Sequence, residues 1–146
     1  MGEMTAFWYA AQHPTRISCD VVIAPIFEMA ARLLLSLGWT RAQEWRTKKV
    51  IRIQTGLAEF DLGYQLVEDE LRYPTVSLMR RLKTPSLILH GSDDEVVPCQ
   101  LSRQFVDRIE QVNLAEIPGG DHRLTAHKER LFELMWDFVG PAPDTD

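Results

Sequence analysis

Apolar residues recur along the chain at two spacings, and their order predicts alternating helices and strands. Residues 3–13 place Met4, Phe7, Trp8 and Ala11 on one helical face. Glu3 suits the positive end of that helix, His13 its last turn, and Pro14 stops it. Residues 17–23 follow as an apolar, β-branched run closed by Pro25 and predict a buried strand. A second such run covers 86–89 and stops at Gly91; a third covers 112–117 and stops at Pro118, Gly119 and Gly120. Between them, Leu101, Phe105 and Ile109 mark the buried stripe of a helix over 99–110. Leu131, Leu134, Met135 and Phe138 do the same for a helix near 125–139. This alternation predicts an α/β fold with a parallel sheet and crossover helices.

The middle of the chain, 27–82, interrupts that rhythm. A helix over 30–37 ends at Gly38, and a second short helix runs through Trp45. Residues 50–53 alternate about Arg52 as a strand would, turning at Thr55 and Gly56, and 64–71 and 76–82 have helical spacing. The stretch reads as a mostly helical insertion over one end of the sheet, with an ordinary helical layer as the alternative. The domain expectation is therefore one domain over 1–146. Its core is 1–26 and 83–139, its insertion 27–82, and its flexible polar tail 140–146.

Composition narrows the class without naming it. A chain of 146 residues suits one domain, and 45% hydrophobic with 25% charged residues is ordinary for a globular protein. A formal net charge of -5 with no basic stripe argues against nucleic acid as a partner. Cys19 and Cys99 fit no metal spacing and make a poor disulfide framework, so reduced thiols in a cytoplasmic protein are the expectation. No apolar run reaches membrane-span length and no signal peptide is evident, which leaves no membrane span expected.

Chemistry concentrates in two loops. Residues 85–98, PSLILHGSDDEVVP, put Asp93, Asp94 and Glu95 just past the C-terminal end of a buried strand, where open α/β sheets keep their sites. The next strand ends at 118–122, PGGDH, which supplies His122. Right-handed crossover predicts these strands as neighbours, so Asp94 and His122 can meet above one edge. An aspartate so placed fixes the imidazole tautomer and stabilises the imidazolium formed when a nucleophile is deprotonated. The same residues also fit a solvated turn with a loop-capping histidine, or a metal site from Asp94, Asp121 and His122. His90, at the strand end, reads as a packed, hydrogen-bonded histidine.

The blocks HGSDDEVVP at 90–98 and IPGGDH at 117–122 resemble the acid and histidine blocks of the α/β-hydrolase superfamily. With the stretch FDLGYQLVED at 60–69, they are similar to lidded esterases and acyl-thioesterases of the serine-aminopeptidase-like branch. The resemblance implies that Asp94 is the catalytic acid and His122 the catalytic histidine, and that no metal or organic cofactor is needed. It implies an insertion acting as a lid, with Leu34, Trp39, Trp45 and Phe60 as an apolar wall for an acyl group, although such residues more often form a lid's own core.

That superfamily carries its serine earlier, on a Gly-x-Ser-x-Gly elbow. Residues 1–6, MGEMTA, look like the tail of that elbow, which would put the serine immediately before Met1 and assign the backbone of Met1 to the oxyanion hole. The expectation is therefore a three-stranded remnant of an α/β-hydrolase fold that lacks its nucleophile. It would be the C-terminal part of a serine hydrolase acting on small-molecule carboxylic esters or thioesters, and inactive alone. The alternative is a non-catalytic binding or interaction module derived from that fold. In either case the bare edge of strand 17–23 invites self-association.

Overall fold

The computed structural model describes residues 2–54 and 58–140. The elements in order are α1 (Gly2–Gln12), β1 (Asp20–Ile23), α2 (Met29–Lys48), β2 (Val50–Gln54), β3 (Glu59–Gly63), α3 (Gln65–Glu70), α4 (Thr75–Arg81), β4 (Ser86–Gly91), α5 (Gln100–Val106), β5 (Val112–Ile117) and α6 (Lys128–Val139). They divide into two compact units, Met1–Phe27 with Leu78–Asp146, and Glu28–Ser77.

The first unit is built on a parallel sheet of order β1-β4-β5, with Asp20 opposite Ser86 and Ser86 opposite Val112. All six residues of β4 are buried, as a strand paired on both edges and covered on both faces requires. Its alternation divides the core. Ile88 joins Phe7, Trp8, Val22, Phe27, Leu78, Leu82 and Phe105 on one face. Leu87 and Leu89 join Ile117, Leu124 and Leu131 on the other, with Leu134, Met135 and Phe138 of α6 packed against them. Phe105 anchors the first cluster, stacking on Phe27 at 4.3 Å and on Phe7 at 5.7 Å between ring centroids.

Three boundaries differ from the sequence expectation. β1 begins at Asp20 rather than 17. Its partner β4 starts at Ser86, and the last rung there is Asp20 N–H donating to the carbonyl of Pro85 at 3.0 Å; Pro85 has no N–H to carry the ladder further. α5 stops at Val106 because the chain tightens into i to i−3 bonds, Arg108 to Phe105 and Ile109 to Val106, which still bury Ile109. The last helix begins as a 3₁₀ turn at Thr125–His127 before α6, following Leu124 in the left-handed region at φ 52°.

The second unit holds α2, the antiparallel pair β2–β3, and α3. Its core is Ala30, Trp45, Ile51 and Val67, with Leu33, Leu34, Leu37, Ile53 and Leu62 against them. Gly38, at φ 72° and ψ 168°, breaks α2 into two helical stretches, as the sequence predicts. The β3 strand is an addition to the expected, mostly helical insertion. Residues 59–63 are largely exposed, with Leu62 packed on the unit's core, and Arg52 ties them to β2 through Glu59 at 3.3 Å and Asp61 at 2.9 Å. The turn expected at Thr55 and Gly56 and the tail expected at 141–146 lie outside the described residues. Leu78 and Leu82, at the end of the expected insertion, pack with the sheet unit.

Candidate active site

Parallel pairing aligns the C-terminal ends of β4 and β5, with Gly91 opposite Ile117, so the two loops leave the sheet side by side. Backbone bonds then lace them together. Ser92 N–H donates to Ile117 at 3.0 Å, Asp93 N–H to Gly120 at 3.0 Å, and Gly120 N–H to Ile117 at 3.0 Å. The Ser92 hydroxyl donates to Asp93 at 2.7 Å and accepts from Gly119 N–H at 2.9 Å. The loops approach so closely that a Cβ on Gly91 would lie 2.1 Å from the carbonyl oxygen of Gly120.

Within this frame the two neighbouring aspartates diverge. Asp93 faces Ser92 and solvent, whereas the Asp94 side chain is wholly buried. Asp94 Oδ1 accepts N–H bonds from Val96 at 2.9 Å and Val97 at 2.8 Å, and Oδ2 lies 2.8 Å from His122 Nδ1. Burial is the largest influence on this carboxyl and acts to raise its pKa, but the Val97 N–H, His122 and the Val96 N–H together hold it below the ordinary value. A buried carboxylate with these donors stays ionised at neutral pH.

His122 is delivered by an Asx turn in which Asp121 Oδ1 accepts from Arg123 N–H at 3.1 Å and Leu124 N–H at 2.7 Å. Leu124, fully buried, anchors the far side of that turn in the core. An acceptor-only carboxylate at Nδ1 places the proton on Nδ1 and leaves Nε2 bare, the tautomer a general base requires. The imidazole remains about one-third exposed, at 35% of its side-chain surface, so it is open to a reacting group. Burial acts first on the carboxyl of Glu3 in α1 and raises its pKa, while hydrogen bonding and nearby charge, His122 contributing least, hold it below the ordinary value.

The sequence-predicted pair is therefore in bonding contact. Met1, expected at the oxyanion hole, lies outside the described residues. Leu34, Trp39, Trp45 and Phe60 all belong to the second unit. Trp45 is inside its core, with the indole N–H donating to Leu62 at 2.9 Å, and Leu34 packs on that core. Trp39 and Phe60 are exposed. Asp121 turns its carboxylate to backbone N–H groups rather than to Asp94 and His122. Among the described residues, no group of three or more His, Cys, Asp or Glu side chains is placed to hold a metal ion. Cys19 and Cys99 are both free; burial, and then the Glu116 carboxylate, push the Cys99 thiol up and away from the reactive thiolate. Sequence reasoning missed one contact at the site: His90 Nε2 is 3.2 Å from Asp94 Oδ2, and its only signal was a spacing of four residues. No helix among the described residues is long and apolar enough to cross a membrane.

A carboxylate and a histidine on consecutive strand ends of a parallel sheet are the arrangement of the α/β hydrolases, and solved structures agree on the fold. A hydrolase from Agrobacterium vitis S4 superposes with a TM-score of 0.81 at 22% identity, over 96% of this chain and 59% of that one. The mouse alpha/beta hydrolase domain-containing protein 10 gives 0.74 at 22% identity, over 91% and 56%. Est1E from Butyrivibrio proteoclasticus, solved with ferulic acid bound, gives 0.76 at 22% identity, over 94% and 54%. This chain thus spans little more than half the length of each of these neighbours. Its fold is part of the α/β-hydrolase fold. Residues 70–129, which hold β4, β5, Asp94 and His122, match the family of serine aminopeptidases, S33. No curated protein sequence matches the chain.

Proposed function

We propose that the chain is the acid–histidine part of a serine hydrolase that cleaves carboxylic esters or thioesters. The observation that carries this reading is the 2.8 Å contact between His122 Nδ1 and a buried, ionised Asp94. In the reaction, His122 Nε2 takes the proton of a serine hydroxyl as that oxygen attacks the acyl carbonyl. It then returns a proton to the departing alcohol or thiol, while Asp94 stabilises the imidazolium between the two steps. Water repeats the cycle on the acyl-enzyme. The neighbour solved with ferulic acid, a carboxylic acid, supports an acyl substrate of this class.

The serine is taken to lie on an elbow before Met1. Several serines of the described residues are committed elsewhere: Ser36 to Leu33, Ser86 to Thr84, Ser92 to Asp93 and Gly119, and Ser102 to His90. The second unit would serve as a lid, with its exposed Trp39 and Phe60 as apolar surface for an acyl group, and the protein would work in the cytoplasm. Assays of p-nitrophenyl esters and acyl-thioesters test the proposal. The 146-residue chain is expected to hydrolyse neither above background, and the protein extended by the in-frame upstream sequence is expected to hydrolyse at least one. A stop codon close upstream, or full activity in the chain alone, would refute the assignment of the serine.

One observation favours an interaction module instead: among the described residues β1 pairs only with β4, so its other edge is free to bind a strand. Self-association through that edge would appear in sedimentation as a concentration-dependent dimer. A monomer at all concentrations would count against it.

A further inference from the structure

His90 is fully buried at the C-terminal end of β4, and both of its ring nitrogens are occupied. Nε2 lies 2.9 Å from the carbonyl oxygen of Val97, and Nδ1 lies 2.8 Å from the Ser102 hydroxyl on α5. A carbonyl can only accept, so the proton is on Nε2; Nδ1 is then bare and accepts from Ser102. The same Nε2 is 3.2 Å from Asp94 Oδ2, the oxygen that holds His122. Asp94 Oδ2 is therefore faced by two imidazoles, one buried and one open to the reacting group.

Burying an imidazole costs free energy that an aliphatic side chain would avoid, unless its nitrogens are matched. Here the matching is directed at the acid loop. His90 fixes the carbonyl of Val97, while the N–H of the same residue donates to Asp94 Oδ1. The ring thus holds the carbonyl of the residue whose N–H holds the carboxylate. The other charged groups near it are accounted for. Glu116, opposite His90 on β5, is paired with Arg103, and Glu3 lies on the side of His122.

We propose that His90 is a positioning residue for the Asp94–His122 pair: locked as the Nε2–H tautomer by Val97 and Ser102, it holds the acid loop and the carboxylate oxygen that His122 uses in one place. The proposal rests on the reading of Asp94 and His122 as the acid–base pair. Its role is exerted through Asp94 and not on the substrate.

The test uses the 146-residue chain itself, with labelled histidine, and follows the downfield His122 Nδ1 proton by NMR. That proton is visible only while the bond to Asp94 shields it from exchange with water. His90→Gln, whose amide nitrogen reaches the Nε2 position, is expected to keep the resonance. His90→Asn, which reaches only the Nδ1 position, and His90→Phe, which keeps bulk without a donor, are expected to lose it, with cooperative melting retained. Should the phenylalanine variant fail to fold, the contrast between glutamine and asparagine decides. An unchanged resonance in the asparagine variant would overturn the positioning role. Asp94→Asn separates the two claims: if it abolishes the resonance while the His90 variants do not, the pair stands and His90 is only packing. If it leaves the resonance intact, the pair itself is wrong.

Discussion

Asparagine in place of Asp94 is expected to lower kcat/KM for an ester by about 10⁴-fold in the proposed serine hydrolase, measured on protein that includes the nucleophile. The geometry gives the reason. Asparagine can still accept from Val96 and Val97 through one oxygen. Its amide nitrogen would then face both His90 Nε2 and His122 Nδ1. The proton on His90 is fixed by Val97, so His122 must adjust by moving its own proton to Nε2. An Nε2–H imidazole cannot accept from a serine. KM should change much less than kcat, because the lost interaction belongs to the transition state.

The same carboxylate gives stability a pH dependence whose sign is fixed. Its folded pKa is depressed by the Val97 N–H, His122 and the Val96 N–H, which outweigh burial. Its contribution is therefore complete above the unfolded value, about 4, and is lost as pH falls below that through the lower folded value. Urea melts of the chain should show acid destabilisation in that window, and Asp94→Asn should flatten it.

Alanine at Gly91 is expected to destabilise the sheet unit by about 3 kcal/mol in the same urea melts, the upper part of the usual range for overpacking. Its Cβ would meet Gly120 O at 2.1 Å, Gly120 C at 2.5 Å and Asp121 O at 2.8 Å, all backbone atoms that no rotamer change can move. Relief requires β5's exit loop to retreat, and that loop carries His122 away from Asp94. In protein that includes the nucleophile, activity should therefore fall in the fraction that remains folded, by about 10²-fold for a displacement near 1 Å. An alanine at Gly119 adds no such clash, since a Cβ there meets nothing within 4 Å, although its φ of 70° still disfavours a side chain.

What the sequence made legible follows from which signals are local. The three parallel strands are short apolar runs bounded by proline and glycine, and the 28-residue step from Asp94 to His122 leaves room for one helix and one strand, so their contact could be anticipated. The choice of Asp94 over Asp93 came from a resemblance; the structure gives its physical basis in the two N–H groups of Val96 and Val97. The β3 strand is hard to read from sequence because its alternation rests on only two apolar residues, Phe60 and Leu62, and its pairing depends on Arg52 reaching Glu59 and Asp61. The start of β1 and the end of α5 fall short of their apolar runs because a proline just before the neighbouring strand ends the ladder and the helix tightens into i to i−3 bonds. The role of His90 was invisible because a buried histidine reads as core until its partners are known.

The most direct measurement is fluorophosphonate labelling of the protein encoded in frame through Met1, followed by mass spectrometry of the labelled peptide. A single labelled serine upstream of Met1, lost when His122 is replaced by alanine, is the expected result. Labelling of Ser92, Ser102 or any other serine of this chain, or labelling that survives without His122, would contradict it.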